Sequence, residues 1–279
     1  MNNIANTGIY DSHTHLNSDQ LYPDREQHLA DFVDIWGQWL VNIWVNNEWN
    51  LRALLISKNN ITDCFVWVAL WLHPGEISFS HTIKNSQNIQ DQIIQLRTLI
   101  QKHKDSKHIV AIWECGIDAH YDRDDDIQAL QIELFQEQCE LARELRLPIV
   151  IHSRDDFALT LDVLQKYIDL KIYFHCRWYT PEDVMLAVQT LPHLWIWFCG
   201  NTTYPKATPL RESFAKAIQL WVNILLETDA PYLSPQAVRW QSNTPSYIHF
   251  LYDWAIETYP DIDWYSRCKK SFDTLYHIS

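Results

Sequence analysis

The segment Tyr10-Asp11-Ser12-His13-Thr14-His15-Leu16 decides the fold. Thr7 to Tyr10 reads as the start of a short strand rich in β-branched and aromatic residues, and it runs into two histidines spaced i, i+2. Alternate side chains of an extended strand point to one side. His13 and His15 can therefore aim their imidazoles at a single point. Taken alone, such a pair reads equally well as a polar strand end with solvated rings. Its meaning depends on whether later segments supply matching ligands.

Apolar β-rich runs alternate with helix-period segments along the chain, the pattern of a parallel sheet with crossover helices. The expected strands are Ile9–His15, Leu40–Val45, Phe65–Leu72, Ile109–Cys115, Pro148–His152, Lys171–His175, Leu194–Cys199 and Asn223–Thr228. Between them lie helical segments, the clearest being Ala129–Leu145. There Leu130, Leu134, Leu141 and Leu145 recur at helical intervals and Pro148 follows the end. Residues 264–275 add a terminal helix. Eight strand–helix units without a linker, low-complexity tract or internal repeat predict an α/β fold: one (β/α)8 TIM barrel, a single domain over residues 1–279. An open doubly wound sheet more often carries a Gly-rich phosphate turn, and none is present.

The C-terminal ends of the expected strands carry the polar chemistry. Strand one ends in His13 and His15, strand four in Glu114, strand five in His152, strand six in His175 and strand eight in Asp229. Barrel enzymes place their sites at this rim. Any one of these residues has an ordinary reading as a buried histidine or a helix-capping carboxylate. All of them at the same place on five strands point to a metal site. Six ligands exceed what one catalytic ion with open positions needs, and suit two divalent ions sharing a bridging carboxylate. Imidazoles favour Zn or Mn, and the carboxylates also admit Mg.

Composition narrows the partners. A formal charge of −13 repels polyanions at long range, which argues against a broad basic platform for duplex DNA. A strand end or a small phosphate-bearing substrate drawn in by bound cations fits better. No apolar run reaches membrane-spanning length, and Met1 to Asn6 has neither the basic nor the apolar region of a secretory signal. The six cysteines are scattered, with no C-x-x-C pair, and are expected to be reduced thiols. The expectation is a cytoplasmic protein with no membrane contact and no protein partner.

The ordered set of motifs resembles the TatD family of metal-dependent hydrolases and deoxyribonucleases, within the amidohydrolase-like barrels. The resemblance rests on Asp11 to Leu16, Leu72-His73-Pro74, Glu114-Cys115-Gly116-Ile117-Asp118 and Leu147 to Arg154. It continues through Phe174-His175-Cys176, Phe198-Cys199-Gly200-Asn201 and Leu226 to Leu233. It implies that His13 and His15 bind one metal with Asp229, that His152 and His175 bind the second, and that Glu114 bridges both. It further implies that Asp229 is the general base, so that Asp229 and Glu114 are the catalytic pair. A metal lowers the pKa of bound water, and a carboxylate beside it can take the proton during attack on a phosphodiester. His73 and Arg154 are candidates for holding substrate phosphate; a turn histidine and a helix-start arginine are the plain readings of the same residues. Asp11 can orient a ligand histidine.

The implied activity is divalent-metal-dependent hydrolysis of phosphodiester bonds in DNA, exonucleolytic, on DNA ends or single strands. Ester or amide hydrolysis with the same ions, such as D-aminoacyl-tRNA deacylation, is the alternative. An inactive metal-binding scaffold is the second. A carbamylated-lysine site is disfavoured because strand four offers Glu114 rather than lysine.

One feature departs from the family. There are 14 tryptophans and only 5 glycines, against roughly 20 glycines at an average usage of about 7%. Trp71, Trp113, Trp197 and Trp240 stand where the family pattern has glycine, and Trp44, Trp67 and Trp178 stand where small residues are expected. Overpacking by even a few methylenes is destabilising. One hypothesis is that many of these codons are UGA, which some bacterial lineages read as glycine and common translation tables read as tryptophan. The other is a divergent Trp-rich barrel with a partly filled mouth. On the first hypothesis, a chain carrying indoles is crowded at its strand ends.

Overall fold

The expected apolar runs become eight strands: β1 (Ile9–Thr14), β2 (Gly37–Ile43), β3 (Phe65–Leu70), β4 (Ile109–Asp118), β5 (Ile149–Arg154), β6 (Ile172–Phe174), β7 (Leu194–Phe198) and β8 (Asn223–Leu226). The structure is a computed structural model that describes residues 8–43, 47–70, 72–104, 108–120, 123–175 and 180–277, the side chains of 47–50 excepted. The strands pair in chain order, every pair parallel. A parallel bridge from Thr14 to Ala230 joins the last strand's exit to the first. There the His15 N–H donates to the Ala230 carbonyl at 2.8 Å, and the Asp229 N–H donates to the His13 carbonyl at 3.0 Å. This is a (β/α)8 barrel.

Besides a single turn at Gly75–Ser78, the α-helices are α1 (Arg25–Asp34), α2 (Asn47–Asn59), α3 (Ser86–His103), α4 (Asp125–Leu145), α5 (Phe157–Leu164), α6 (Pro181–Thr190), α7 (Thr208–Gln219), α8 (Ile248–Thr258) and α9 (Trp264–Tyr276). Their starts follow from local chemistry. Asn85 caps α3 by accepting from the Asn88 N–H, and Ile89, Ile93, Leu96 and Ile100 form its buried stripe. Thr180 and Asp183 form a reciprocal capping box with Pro181 in the first turn of α6. Helix α4 begins earlier than its leucine periodicity suggests, because Asp124 caps it by accepting from Asp126 N–H.

Two apolar layers hold the barrel. Phe32, Leu96, Phe135, Leu164 and Phe214 belong to the layer between sheet and helices. Tyr10, Val41, Ala69, Ala111, Val150 and Tyr173 fill the inside. At the end where the strands begin, Phe272 and Tyr276 of α9 pack on Trp67 with ring centroids 5.9 Å apart. Among the described residues no helix is long and apolar enough to cross a membrane.

Two expectations need correction. Strand β4 runs on to Asp118 instead of stopping at Cys115. Its ladder with β5 slips between Ile112 and Cys115, then resumes from Cys115↔Ile151 to Asp118↔Arg154. The slip leaves Glu114 inside the strand at a φ of 37°. The cysteines are not all reduced: Cys64, Cys115, Cys139 and Cys268 are free and buried, but Cys199 is disulfide-bonded.

Candidate metal centre

His13 and His15 leave β1 on the same side, as their spacing predicts, and their Nε2 atoms lie 2.9 Å apart. Asp229, carried round by the segment after β8, puts its Oδ1 3.2 Å from His13 Nε2 and 3.3 Å from His15 Nε2. Ligand bonds of about 2.1 Å separate neighbouring donors by roughly 3.0–3.4 Å in octahedral to tetrahedral geometry. The three atoms therefore form a coordination face that fits a divalent ion. The ring tautomers agree: His15 Nδ1 is 3.1 Å from the Ile43 carbonyl, to which it donates, so the Nε2 lone pair is left for the ion.

Glu114 joins this face to a second cluster. Its Oε1 lies 3.0 Å from His175 Nε2 and 3.7 Å from His13 Nε2, while its Oε2 lies 3.9 Å from His73 Nε2 and 4.0 Å from His152 Nδ1. One oxygen thus faces His13 and His175 and the other His73 and His152, as a bridging carboxylate can, but His175 sits on the His13 side and not beside His152, the partner the resemblance implies. His152 offers Nδ1 because its Nε2 is 3.3 Å from Asp118 Oδ2. His73 is different. Its Nδ1 accepts from the Gly75 N–H at 2.8 Å, so the neutral ring carries its proton on Nε2 and donates toward the site. That tautomer suits a phosphate oxygen better than a metal ion. Arg154, at the end of β5, lines the same cleft of about 780 Å³, together with His120, Asp155, Tyr232 and Asn201.

Electrostatics follow from burial and pairing. Burial lowers the pKa of His13 and outweighs the pull of Asp229 and Glu114, which favours the neutral, ligating ring. At His15 the balance reverses: burial acts downward, but the Asp229 hydrogen bond and charge raise the value. Burial disfavours the Asp229 carboxylate, yet the adjoining His13 and His15 rings hold it well below the usual range. Asp11 is pushed up to about 7 by burial. It accepts from the backbone N–H of His13 and from the N–H and hydroxyl of Thr228. Asp11 therefore ties β1 to the segment after β8 and touches no ligand ring through these bonds.

Glu114 and Asp229 both hold left-handed backbone conformations, at φ 37° and 56°. Such positions cost on the order of 1–3 kcal/mol each in a non-glycine residue and cluster at functional sites.

Sequence reading missed two carboxylates. Glu227, with no solvent exposure, lies under the site with Oε1 3.1 Å from His175 Nδ1 and Oε2 3.6 Å from His13 Nδ1. The two rings stack at 4.1 Å. Glu227 thus lies against the two rings that face Glu114 Oε1. Asp118 holds His152, and Gln131 locks Asp118 in place by accepting from its N–H and donating to its carbonyl. Both carboxylates stood in motifs that carry the resemblance. The alternation Glu227, Asp229 repeats that of His13, His15 and is the signal that could have found the first.

The expected crowding is real at Trp197, whose ring centroid lies 3.5 Å from that of Tyr173. Trp113 and Trp197 are fully buried, with rings 4.8 and 5.3 Å from that of His13. Trp240 is 94% exposed and crowds nothing, and Trp67 is half-buried at the opposite end of the barrel. Trp44, Trp71 and Trp178 lie outside the described residues.

The family described as TatD related DNase matches residues 10–263. The chain belongs to the TatD family. An uncharacterized metal-dependent hydrolase of Buchnera aphidicola from the pea aphid is 26% identical over 97% of this TatD-family chain and 99% of its own length. The human 3'-5' RNA nuclease TATDN2 is 30% identical over 65% of this chain, a segment that is 23% of the human protein. In fold, the crystal structure of the TatD homologue YjjV from Escherichia coli K12 matches with a TM-score of 0.82 at 23% identity, covering 97% of this chain and 98% of that one. The chain is a metal-dependent hydrolase of this family, with histidine and carboxylate clusters able to hold metal.

Proposed function

We propose that this TatD-family hydrolase cleaves phosphodiester bonds of DNA, at ends or in single strands, using two divalent ions from among Mg, Mn and Zn. The observation that carries the reading is the pair of donor clusters joined by Glu114 at the floor of an open cleft. When bound, such ions supply an acidified water and Lewis-acid stabilisation of phosphoryl oxygens. The chain supplies the rest. His73 donates from Nε2, Arg154 offers a planar donor fork to phosphate, and Asp229 is held ionised and is able to accept a proton. The charge of −13 disfavours a long duplex footprint and leaves a strand end as the fitting substrate. RNA is a second substrate class, favoured by the identity shared with a human RNA nuclease.

The test is a labelled single-stranded oligonucleotide incubated with Mn or Mg. It is expected to shorten, and His152→Ala or Asp229→Ala should stop the reaction in a chain that still folds. Should the DNA stay intact while RNA is shortened, RNA replaces DNA. Survival of both with deacylation of D-aminoacyl-tRNA would move the assignment to ester hydrolysis. Metal binding with none of these reactions would leave the scaffold reading.

A further inference from the structure

We infer that Trp36, Trp113, Trp197 and Trp221 occupy glycine positions, decoded from UGA that the source cells read as glycine, whereas Trp195 and Trp254 are true tryptophans. The inference rests on backbone and packing at individual residues and does not depend on the proposed substrate.

Trp221 follows α7 in a complete Schellman motif. Its N–H donates to the Ile218 carbonyl at 3.1 Å, and the Val222 N–H donates to the Ala217 carbonyl at 3.0 Å. Its φ is 56°, and the residue is 86% exposed. Glycine is the usual occupant of that position because a β-carbon is strained there. Trp36 repeats the arrangement after α1: φ is 70°, its N–H donates to the Val33 carbonyl at 2.9 Å, and the indole is largely exposed. Its carbonyl accepts from the Ile9 N–H at 2.8 Å, so this left-handed turn also sets the start of the sheet. The sheet and the helix ends require these conformations, and an exposed indole recovers nothing for them. Polar residues such as Arg146 and His277 also sit at positive φ, but tryptophan is the bulkiest side chain at any of these turns.

The other two positions fail by packing. The Trp113 and Trp197 rings are 4.6 Å apart on the barrel axis, and neither indole N–H has a hydrogen-bond partner. The Trp197 ring centroid lies 3.5 Å from that of Tyr173, where aromatic pairs ordinarily keep about 4.5–7 Å. Both lie edge-on to His13, a ligand residue whose position the metal face depends on, at 4.8 and 5.3 Å. Trp195, two residues earlier on β7, shows the contrast: its indole N–H donates to the Ser271 carbonyl at 3.0 Å. Trp254 packs on Phe214 at 5.2 Å and lies 5.9 Å from the Arg211 guanidinium.

The experiment has two parts. The source gene is read at the six codons, and peptides spanning them are weighed by mass spectrometry in protein isolated from source cells. UGA codons with glycine masses at 36, 113, 197 and 221, and UGG with tryptophan at 195 and 254, are expected. A tryptophan mass at any of the four overturns the assignment of the set. The recombinant Trp-containing chain gives a second readout: Trp36→Gly with Trp221→Gly should raise its unfolding midpoint by a few degrees. A lower midpoint contradicts the backbone argument.

Discussion

Glu227→Gln is the substitution that tests how one buried carboxylate sets the ligating state of His13 and His175. The carboxylate faces His175 Nδ1 at 3.1 Å and His13 Nδ1 at 3.6 Å and is sealed from solvent. A carboxylate only accepts, so it favours the proton on Nδ1 of both rings, through the hydrogen bond from His175 and the 3.6 Å approach of His13, and leaves Nε2 to ligate. Glutamine keeps the volume but turns one oxygen into an N–H donor. One of the two rings then meets a donor and must move its proton to Nε2, where it can no longer bind metal. Removing such an orienting partner costs roughly 10–100-fold in metal affinity, which is about 1.4–2.8 kcal/mol. Because a single amide mismatches one ring, the loss should fall on one ion equivalent while the other keeps nearly its parental affinity. Titration calorimetry with Mn on metal-stripped protein reads this directly. The metal-free variant should unfold no earlier than the parent, since a neutral amide costs less to bury than a carboxylate. Two equivalents bound with parental affinities would refute the argument.

Two further perturbations probe the cleft and the surface. Tyr232 is 56% exposed at the cleft, edge-on to His15 at 5.9 Å, and Asn243 Nδ2 fixes its backbone by donating to its carbonyl at 2.7 Å. If a terminal base stacks there, Tyr232→Leu should raise KM for an oligonucleotide by about tenfold, within the roughly 1–3 kcal/mol of base–aromatic stacking. Hydrolysis of a small phosphodiester lacking a base should be unaffected, and an unchanged oligonucleotide KM would remove Tyr232 from binding. At the surface, Arg143 pairs with Asp169 at 2.7 Å and holds its pKa below the usual value. A folded pKa below the unfolded one gives stability that is present above the unfolded value and lost as pH falls through the folded one. Arg143→Ala should therefore cost up to about 1 kcal/mol in urea unfolding at neutral pH, with the gap to the parent closing in strong acid. A gap that widened in acid would show that the sign is wrong.

The sequence exposed those features whose cause is local and periodic. Alternation along β1 places His13 and His15 together, and the same rule run along Glu227 and Asp229 yields a second pair. Periodicity alone does not say which carboxylate of that pair faces the ions and which lies beneath the rings. That depends on where the segment after β8 meets β1, through hydrogen bonds from His15 to Ala230 and from Asp229 to His13. Asp118 was hidden for a similar reason: the slip in the β4 ladder has no residue signature, so the strand seemed to end before the group that holds His152. The proton on His73 is set by a backbone N–H two residues on, a contact visible only in the folded turn. The tryptophans show the opposite relation between sequence and structure. Family resemblance singled out Trp113, Trp197 and Trp240, yet Trp240 is solvent-exposed and strains nothing. Trp36 and Trp221 drew no notice in the sequence, but they hold the left-handed turns that glycine usually fills. Side-chain identity normally constrains φ; at these two turns the helix ends and the sheet impose φ against the side chain. The conflict between backbone and residue is thus most legible away from the metal centre, where no catalytic demand can account for the strain.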